Sequence, residues 1–356
     1  MSIFQSLGLR AVRSLDPERA HRVAINGLRA GLVAPWKSAL PGALRTQVFG
    51  FDLEHPLGLA AGFDKNAEVV GPLLKCGFSF VEVGAVTPRP QFGNPKPRLF
   101  RLSEDAGAIN RFGFNNEGVE AVRKRLFLKA HPASGPVGVN LGANKDSADR
   151  AADYTKVLTR LADCADFFTI NVSSPNTQGL RDLQERSALD DLIAGVLSVR
   201  DDVAAGKPVL LKLAPDLSEV QLTDVVEVCL ERGIDGIVAT NTTLSRDGLV
   251  SSHRFESGGL SGQPVFEKST AILHRISEIT EGAVPLIGVG GVGSAEQAYA
   301  KIRAGASLVQ LYTALSYHGM GLVPQIVNGL AKLLERDGFT QMDQAIGVDV
   351  RRSSTG

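Results

Sequence analysis

Three features of the sequence predict an α/β fold, a closed (β/α)8 or TIM barrel. Eight segments are continuously apolar and rich in β-branched residues, amphipathic segments alternate with them, and polar residues cluster at the carboxyl end of each apolar run. Strands that are apolar along their whole length belong to a sheet covered on both faces, whereas a half-exposed sheet alternates. Eight regular units favour closure, and an open doubly wound sheet is the runner-up. With 356 residues, 44% of them apolar, the chain can bury about three-quarters of its unfolded surface.

The first forty residues differ from the rest. Ile3, Phe4, Leu7, Ala11 and Leu15 make a helical stripe in a segment that holds Arg10 and Arg13 and no acid before Asp16. Asp16 and Pro17 then restart the chain as N-cap and first helical residue. The second helix carries Ala20, Val23, Ala24, Gly27, Leu28, Gly31 and Leu32 on one face, with Arg19, Arg22, Asn26 and Arg29 largely off it. Neither run is long enough to span a bilayer. The pair therefore packs on the main domain, which composition favours, or lies on a membrane surface; a cleaved targeting peptide is a third reading for residues 1–15.

A short extended segment follows, Thr46 to Leu53, and then the regular part begins. Strands are read at Leu57–Gly62, Phe80–Val86, Pro136–Gly142, Phe167–Ser173, Pro208–Pro215, Gly236–Asn241, Pro285–Val292 and Leu308–Leu315. Helices are read at Glu68–Cys76, Val119–Lys129, Ala151–Cys164, Leu189–Val203, Glu219–Arg232, Lys268–Ile279, Ala295–Arg303 and Leu322–Glu335. The domain division that results is a helical extension over 1–40, the barrel over 41–345 and a tail over 346–356.

Charge and cysteine usage exclude several classes. Lys plus Arg and Asp plus Glu number 38 each, so no net field draws in nucleic acid. Cys76, Cys164 and Cys229 are widely spaced and odd in number, which argues against a disulfide framework and for a reducing, cytoplasm-facing compartment. No Cys or His pair has ligand spacing, and no metal is expected.

In a barrel the site lies at the carboxyl ends of the strands. The stretch from Phe167 to Gly179 is the most informative of these, because a β-branched strand runs into Asn171, Ser173, Ser174, Asn176 and Thr177, with Pro175 stiffening the exit. Ser-Ser-Pro-Asn alone is ordinary turn chemistry. Its company is not: the other strands end at Ala60-Ala-Gly-Phe-Asp-Lys-Asn66, Gly84 to Thr87, Asn140, Lys212, Thr240 to Thr243, Gly288 to Ser294, and Tyr312-Thr313. Lys212 interrupts Val209-Leu-Leu-Lys-Leu213, where an ammonium is costly unless it faces an anion or a polar cavity; the bland alternative is a lysine snorkelling outward. The glycine-rich turn after the seventh strand, with Ser294 capping the next helix, makes a phosphate cradle. It lacks the downstream acid of a dinucleotide fingerprint, so a mononucleotide is the simplest ligand, and flavin mononucleotide (FMN) fits polar strand ends above a buried cation. A Schiff-base barrel using Lys212 on a phosphorylated sugar shares these features, and a non-enzymatic membrane adaptor accounts for the N-terminus alone.

Six motifs together resemble one family: Ala60 to Asn66; Val83-Gly-Ala-Val-Thr-Pro-Arg-Pro-Gln91; Ile109-Asn-Arg-Phe-Gly-Phe-Asn-Asn116; Asn171-Val-Ser-Ser-Pro-Asn176; Ala239-Thr-Asn-Thr-Thr243; and Gly258-Gly-Leu-Ser-Gly262. The chain from about residue 5 to 340 resembles the dihydroorotate dehydrogenases. Serine rather than cysteine at the base position, and an extension containing Leu15 to His21, are similar to the quinone-dependent, membrane-associated class. The resemblance implies oxidation of dihydroorotate to orotate in pyrimidine biosynthesis, with FMN as hydride acceptor and ubiquinone or menaquinone as electron acceptor. It implies Ser174 as base, with Thr177 and Phe114 beside a proton relay. Substrate would be held by Lys65, Asn110, Arg111, Phe112, Gly113, Phe114, Asn171, Asn176, Asn241 and Thr242. FMN would be held by Ala61, Gly62, Lys65, Ala85, Asn140, Asn171, Lys212, Thr240, Gly262, Gly291, Tyr312 and Thr313. His21 and Arg101 would line the quinone tunnel. Ala85 departs from the family's usual threonine or serine and removes one flavin contact. The class further implies peripheral contact with the cytoplasmic side of the inner (cell) membrane through the N-terminal helices, and no obligate protein partner.

Overall fold

In the computed structural model, residues 12–36, 40–128, 135–177 and 179–353 are described. The helical stripe expected over Ile3–Leu15 lies mostly outside them. Helix α1 (Pro17–Arg29) starts as its sequence implies, with Asp16 Oδ1 accepting from Glu18 N at 3.1 Å and Arg19 N at 3.0 Å. Its buried residues are Ala20, Ile25 and Leu28. Val23 and Leu32, read as part of the packed face, are 45% and 80% exposed. The apolar stripe is therefore split between the barrel and the surface.

Strands β1 (Thr46–Val48) and β2 (Phe51–Leu53) pair as an antiparallel hairpin. Phe49 and Gly50 turn it with φ of +56° and +78°, the left-handed pair that a two-residue hairpin requires. The chain then runs through β3 (Leu57–Leu59), β4 (Val81–Val86), β5 (Leu99–Leu102), β6 (Gly107–Asn110), β7 (Val137–Leu141), β8 (Phe167–Asn171), β9 (Val209–Leu213), β10 (Gly236–Ala239), β11 (Gly259–Gly262), β12 (Leu286–Val289) and β13 (Ala306–Leu311). Eight of these close a parallel barrel in the order β3-β4-β7-β8-β9-β10-β12-β13, with β13 returning to β3. All eight expected strands are present, and the open-sheet alternative is set aside.

Residue parity along the strands sorts the core into two. Val81, Val83, Val137, Val139, Ile170, Leu211 and Ile237 belong to the large cluster shared with the surrounding helices. Phe80, Phe167, Leu210, Val238, Ile287 and Leu308 belong to a second cluster, with Val48 and Leu53 of the hairpin packed among them. The hairpin thus closes the amino end of the barrel. Gly138 is required there, because a Cβ would lie 2.1 Å from the Phe167 ring. Helices follow the strands: α2 (Val70–Lys75), α3 (Val119–Leu128), α4 (Arg150–Leu161), α5 (Arg186–Val203), α6 (Glu219–Arg232), α7 (Phe266–Thr280), α8 (Ala295–Arg303), α9 (Leu315–His318), α10 (Leu322–Arg336), α11 (Met342–Ala345) and α12 (Val348–Ser353). The last of these carries Asp349, which pairs with Arg303 of α8 at 2.5 Å.

The sequence reading did not anticipate the sheet β5-β6-β11, which is antiparallel and is assembled from the segments after β4 and β10. It brings Asn110, at the end of β6, opposite Gly259. Tyr317 of α9 holds it to the barrel by donating to Gly107 O at 2.6 Å, with Leu102 O 3.1 Å away.

Candidate functional site

At the carboxyl ends of the strands the inward positions change from apolar to polar, and a single cavity opens over them. Its lining includes Asn140 of β7, Asn171 of β8 and Lys212 of β9, which parity turns inward. Lys212 is buried, and burial holds its pKa below the ordinary lysine value while Glu82 opposes that shift. This lysine does not snorkel outward.

The carboxamides form a directed chain. Asn140 Nδ2 donates to Glu82 Oε1 at 2.7 Å, and Asn171 Nδ2 donates to Asn140 Oδ1 at 2.8 Å. Asn241 Nδ2 then reaches Asn171 Oδ1 at 3.2 Å and Ser173 Oγ at 3.0 Å, and Asn241 Oδ1 accepts from Thr242 N at 2.8 Å. Glu82 also accepts from Gln310 Nε2 at 2.8 Å.

The loop after β8 supplies the candidate base. Ser174 is buried, lines the cavity, and accepts from Asn176 N at 3.3 Å. Asn176 Nδ2 donates to Asn110 Oδ1 at 3.1 Å, joining this loop to the antiparallel sheet. Thr177 is buried but is absent from the cavity lining. Phe112, Gly113 and Phe114 form the facing wall. Phe114 has φ of +54°, a costly value for a bulky residue, and its carbonyl accepts from Gln91 Nε2 at 3.1 Å and Asn116 Nδ2 at 2.8 Å. Lys65 Nζ stands 4.1 Å over the Phe112 ring, and burial lowers its pKa to about 8. Arg111 lies between Asn110 and Phe112 of the lining, but its guanidinium bonds Glu256 at 2.7 Å and Pro97 O at 3.1 Å and stacks on Phe100, outside the cavity lining.

The opposite wall is the glycine cradle. Gly291 has φ of +75°, and a Cβ there would lie 2.5 Å from Phe266, so only glycine lets this turn form. Gly262 is constrained in the same way by Ala106 O. Ser294 caps α8 by accepting from Gln297 N at 3.2 Å. Ala61, Gly62, Thr240, Thr242, Tyr312 and Thr313 complete the expected lining, and Ala85 lines it where the β4–β7 register shifts between Gly84 and Val86.

The two quinone candidates lie at the margin. His21 on α1 meets the Phe63 ring edge-on at 5.2 Å and approaches Tyr312 at 6.2 Å. Arg101 donates to Arg13 O at 2.7 Å, and Arg13 lies over Tyr317. Tyr312 and Tyr317 both border the cavity. Burial, reinforced by Lys65 and Arg22, pushes the pKa of His21 down to about 3, and burial pushes that of His55 to about 4. Both fold as neutral imidazoles. The unfolded chain takes up protons below about pH 6.5, so stability is intact above that value and falls as the pH drops, by about 1.4 kcal/mol per unit for each histidine. Denaturant midpoints at pH 7.5 and 5.0 should show this loss, and His21→Asn should flatten it; an unchanged slope would show that His21 is solvated.

Sequence reasoning missed Ala106, Ser261, Gln263, Tyr317 and His318 of the lining, which come from the antiparallel sheet, the turns at the ends of its strands, and α9. It also missed Glu82, although an acid inside Val81-Glu-Val is the same signal that marks Lys212. Among the described residues there is no group of three or more His, Cys, Asp or Glu able to hold a metal ion.

Residues 43–334 match the family model described as dihydroorotate dehydrogenase. A protein of Cereibacter sphaeroides named dihydroorotate dehydrogenase (quinone) is 57% identical over 347 residues, covering 98% of each chain. One of the same name from Rhizobium rhizogenes is 54% identical over 94% of this chain and 93% of its own. Among solved structures, that of DHODH from Eimeria tenella in complex with ferulenol superposes with a TM-score of 0.91 at 37% identity, over 95% of this chain and 98% of the other. The ligand-free form from the same organism gives 0.89 at 38% identity, over 94% and 99%.

Proposed function

The chain belongs to the dihydroorotate dehydrogenase family, and we propose that it oxidises (S)-dihydroorotate to orotate in pyrimidine biosynthesis, with FMN bound in the barrel mouth and a membrane quinone as final electron acceptor. The observation that carries this reading is one cavity lined together by a buried serine, a set of carboxamides and a glycine cradle. The Schiff-base reading of Lys212 loses its ground with family membership.

The residues present fit a flavin mononucleotide. Gly262, Gly290, Gly291 and Gly293 line the cavity without side chains and would offer backbone to a phosphate, and Lys212 lies within the same lining as a cation for the pyrimidine edge of the ring system. Ala61, Gly62, Ala85, Asn140, Thr240, Tyr312 and Thr313 would border it. When bound, the flavin supplies the hydride acceptor and, once reduced, passes electrons to quinone. Ser174 Oγ takes the proton from the substrate carbon next to the ring carbonyl, and the neighbouring carbon loses hydride, so a carbon–carbon double bond forms. The Asn176 N–H beside Ser174 Oγ favours negative charge there. Asn110, Asn171, Asn176, Asn241 and Thr242 present hydrogen-bonding groups to the ring and its carboxylate, and Lys65 adds positive charge. Thr177, buried beyond the cavity wall, would receive the proton on its way out.

Contact with the membrane is peripheral in this proposal. No helix among the described residues is long and apolar enough to cross a bilayer, while α1 and its flanks expose Leu15, Val23 and Leu32 beside Arg19, Arg22 and Arg29. The quinone, ubiquinone or menaquinone, would enter near His21 and Arg101 from the cytoplasmic side of the inner membrane. The test is an absorbance spectrum of the purified protein without oxygen. A yellow protein whose flavin bands bleach on adding dihydroorotate supports the reading, and a colourless or unresponsive one overturns it.

A further inference from the structure

Glu82 is wholly buried inside the barrel and does not line the cavity. A carboxylate is costly in such a place unless its oxygens are satisfied and its charge is met. Both conditions hold: Oε1 accepts from Asn140 at 2.7 Å, Oε2 accepts from Gln310 at 2.8 Å, and the buried Lys212 ammonium, likewise on an inward strand position, supplies opposite charge within the barrel. A carboxylate can only accept, whereas a carboxamide can present either edge. Asn140 must therefore turn its amide nitrogen to Glu82 and its oxygen to Asn171 Nδ2, 2.8 Å away. Asn171 Oδ1 is then left to accept from Asn241 Nδ2 at 3.2 Å and Ser173 Oγ at 3.1 Å. The later links are held the same way by backbone donors, Ser173 N 3.3 Å from Asn171 Oδ1 and Thr242 N 2.8 Å from Asn241 Oδ1, so Asn140 is the link whose direction the carboxylate sets.

We propose that Glu82 is a positioning residue for the substrate pocket: its carboxylate fixes the donor–acceptor direction of Asn140, whose oxygen then anchors Asn171 Nδ2 and, through Asn171, Asn241 in the places from which they meet a bound ring. The inference rests on the reading that these two asparagines hold orotate and its precursor. A glutamine at this position keeps the shape but permits Asn140 to flip, which sets its amide nitrogen against Asn171 Nδ2, donor opposed to donor, and displaces Asn171 from the pocket wall.

The test uses the flavin-loaded protein, with orotate affinity read from the perturbation of flavin absorbance and flavin content measured in parallel. Glu82→Gln should weaken orotate by at least about tenfold, the effect of one mispaired buried group. Adding Asn140→Asp should restore it, because the carboxylate this second change introduces can accept from the new glutamine and from Asn171 at once. Recovery to within about threefold of the parent marks direction as the cause, since mere loss of packing would not be repaired by a second charge change. Glu82→Gln that binds orotate as the parent does overturns the proposal, as does a double variant no better than the single one. If the single variant does not fold, the double variant decides alone: folded and orotate-binding supports the proposal, unfolded overturns it. A parent that fails to bind orotate sinks the functional reading itself, a result distinct from parent and variant binding equally.

Discussion

Ser174→Ala should fold, retain flavin and bind orotate, yet reduce its flavin with dihydroorotate about 10²–10⁴ times more slowly than the parent, the contribution of a positioned base. That range corresponds to about 2.7–5.5 kcal/mol of transition-state stabilisation. Binding should survive because the groups proposed to hold the ring are carboxamides anchored elsewhere: Asn176 to Asn110 at 3.1 Å, and Asn171 to Asn140 at 2.8 Å. Rate should not survive, because among the described residues no histidine lies in the cavity wall beside Ser174 to take the proton instead; His318, which does line the cavity, belongs to α9 on the far wall with Tyr317. Anaerobic single-turnover absorbance separates the two effects. A reduction rate within about threefold of the parent, at saturating substrate, would remove Ser174 from the chemistry and return the Ser-Ser-Pro-Asn turn to its bland role.

The barrel was legible because its strands are apolar on both faces, a pattern few other folds demand. The strand ends were legible for the complementary reason: Lys212 and Asn171 break apolar runs where burial makes a polar residue expensive. Glu82 breaks its run in the same way, but an acid near the start of its strand reads as register noise until Asn140 and Gln310 are seen to converge on it. The antiparallel sheet was illegible because its strands of four residues are too short for period-two alternation to register, and two lie in one connection and the third in another. The Arg111 side chain turns away from its motif neighbours. The residue lies between Asn110 and Phe112 of the cavity wall, yet its side chain leaves the wall for Glu256 and Phe100.

Deleting residues 1–40 should leave dihydroorotate able to bleach the flavin but abolish reoxidation by long-chain quinones, and should release the protein from membranes. The structure gives α1 two jobs that the deletion removes together. Ala20, Ile25 and Leu28 pack inward, and the helix is tied down by Glu18 to Arg98 at 2.7 Å and by Arg22 and Arg29 to Glu68. His21 covers Phe63 and Tyr312. The Arg98 and Glu68 side chains of these pairs are largely buried, so losing their partners adds to the cost of losing the packed face. Trp36, whose N donates to Lys75 O at 2.8 Å, goes as well and uncovers the end of α2. Flavin reduction is therefore the control for folding. A milder variant separates attachment from packing: Val23→Asp with Leu32→Asp changes residues 45% and 80% exposed, and leaves the buried face whole. It should lower sedimentation with anionic vesicles and slow turnover with long-chain quinone, while a short, water-soluble quinone restores the rate. Truncated protein that still turns over long-chain quinone at the full-length rate and still sediments with membranes would leave these helices as packing, and His21 and Arg101 would no longer mark an entry for quinone.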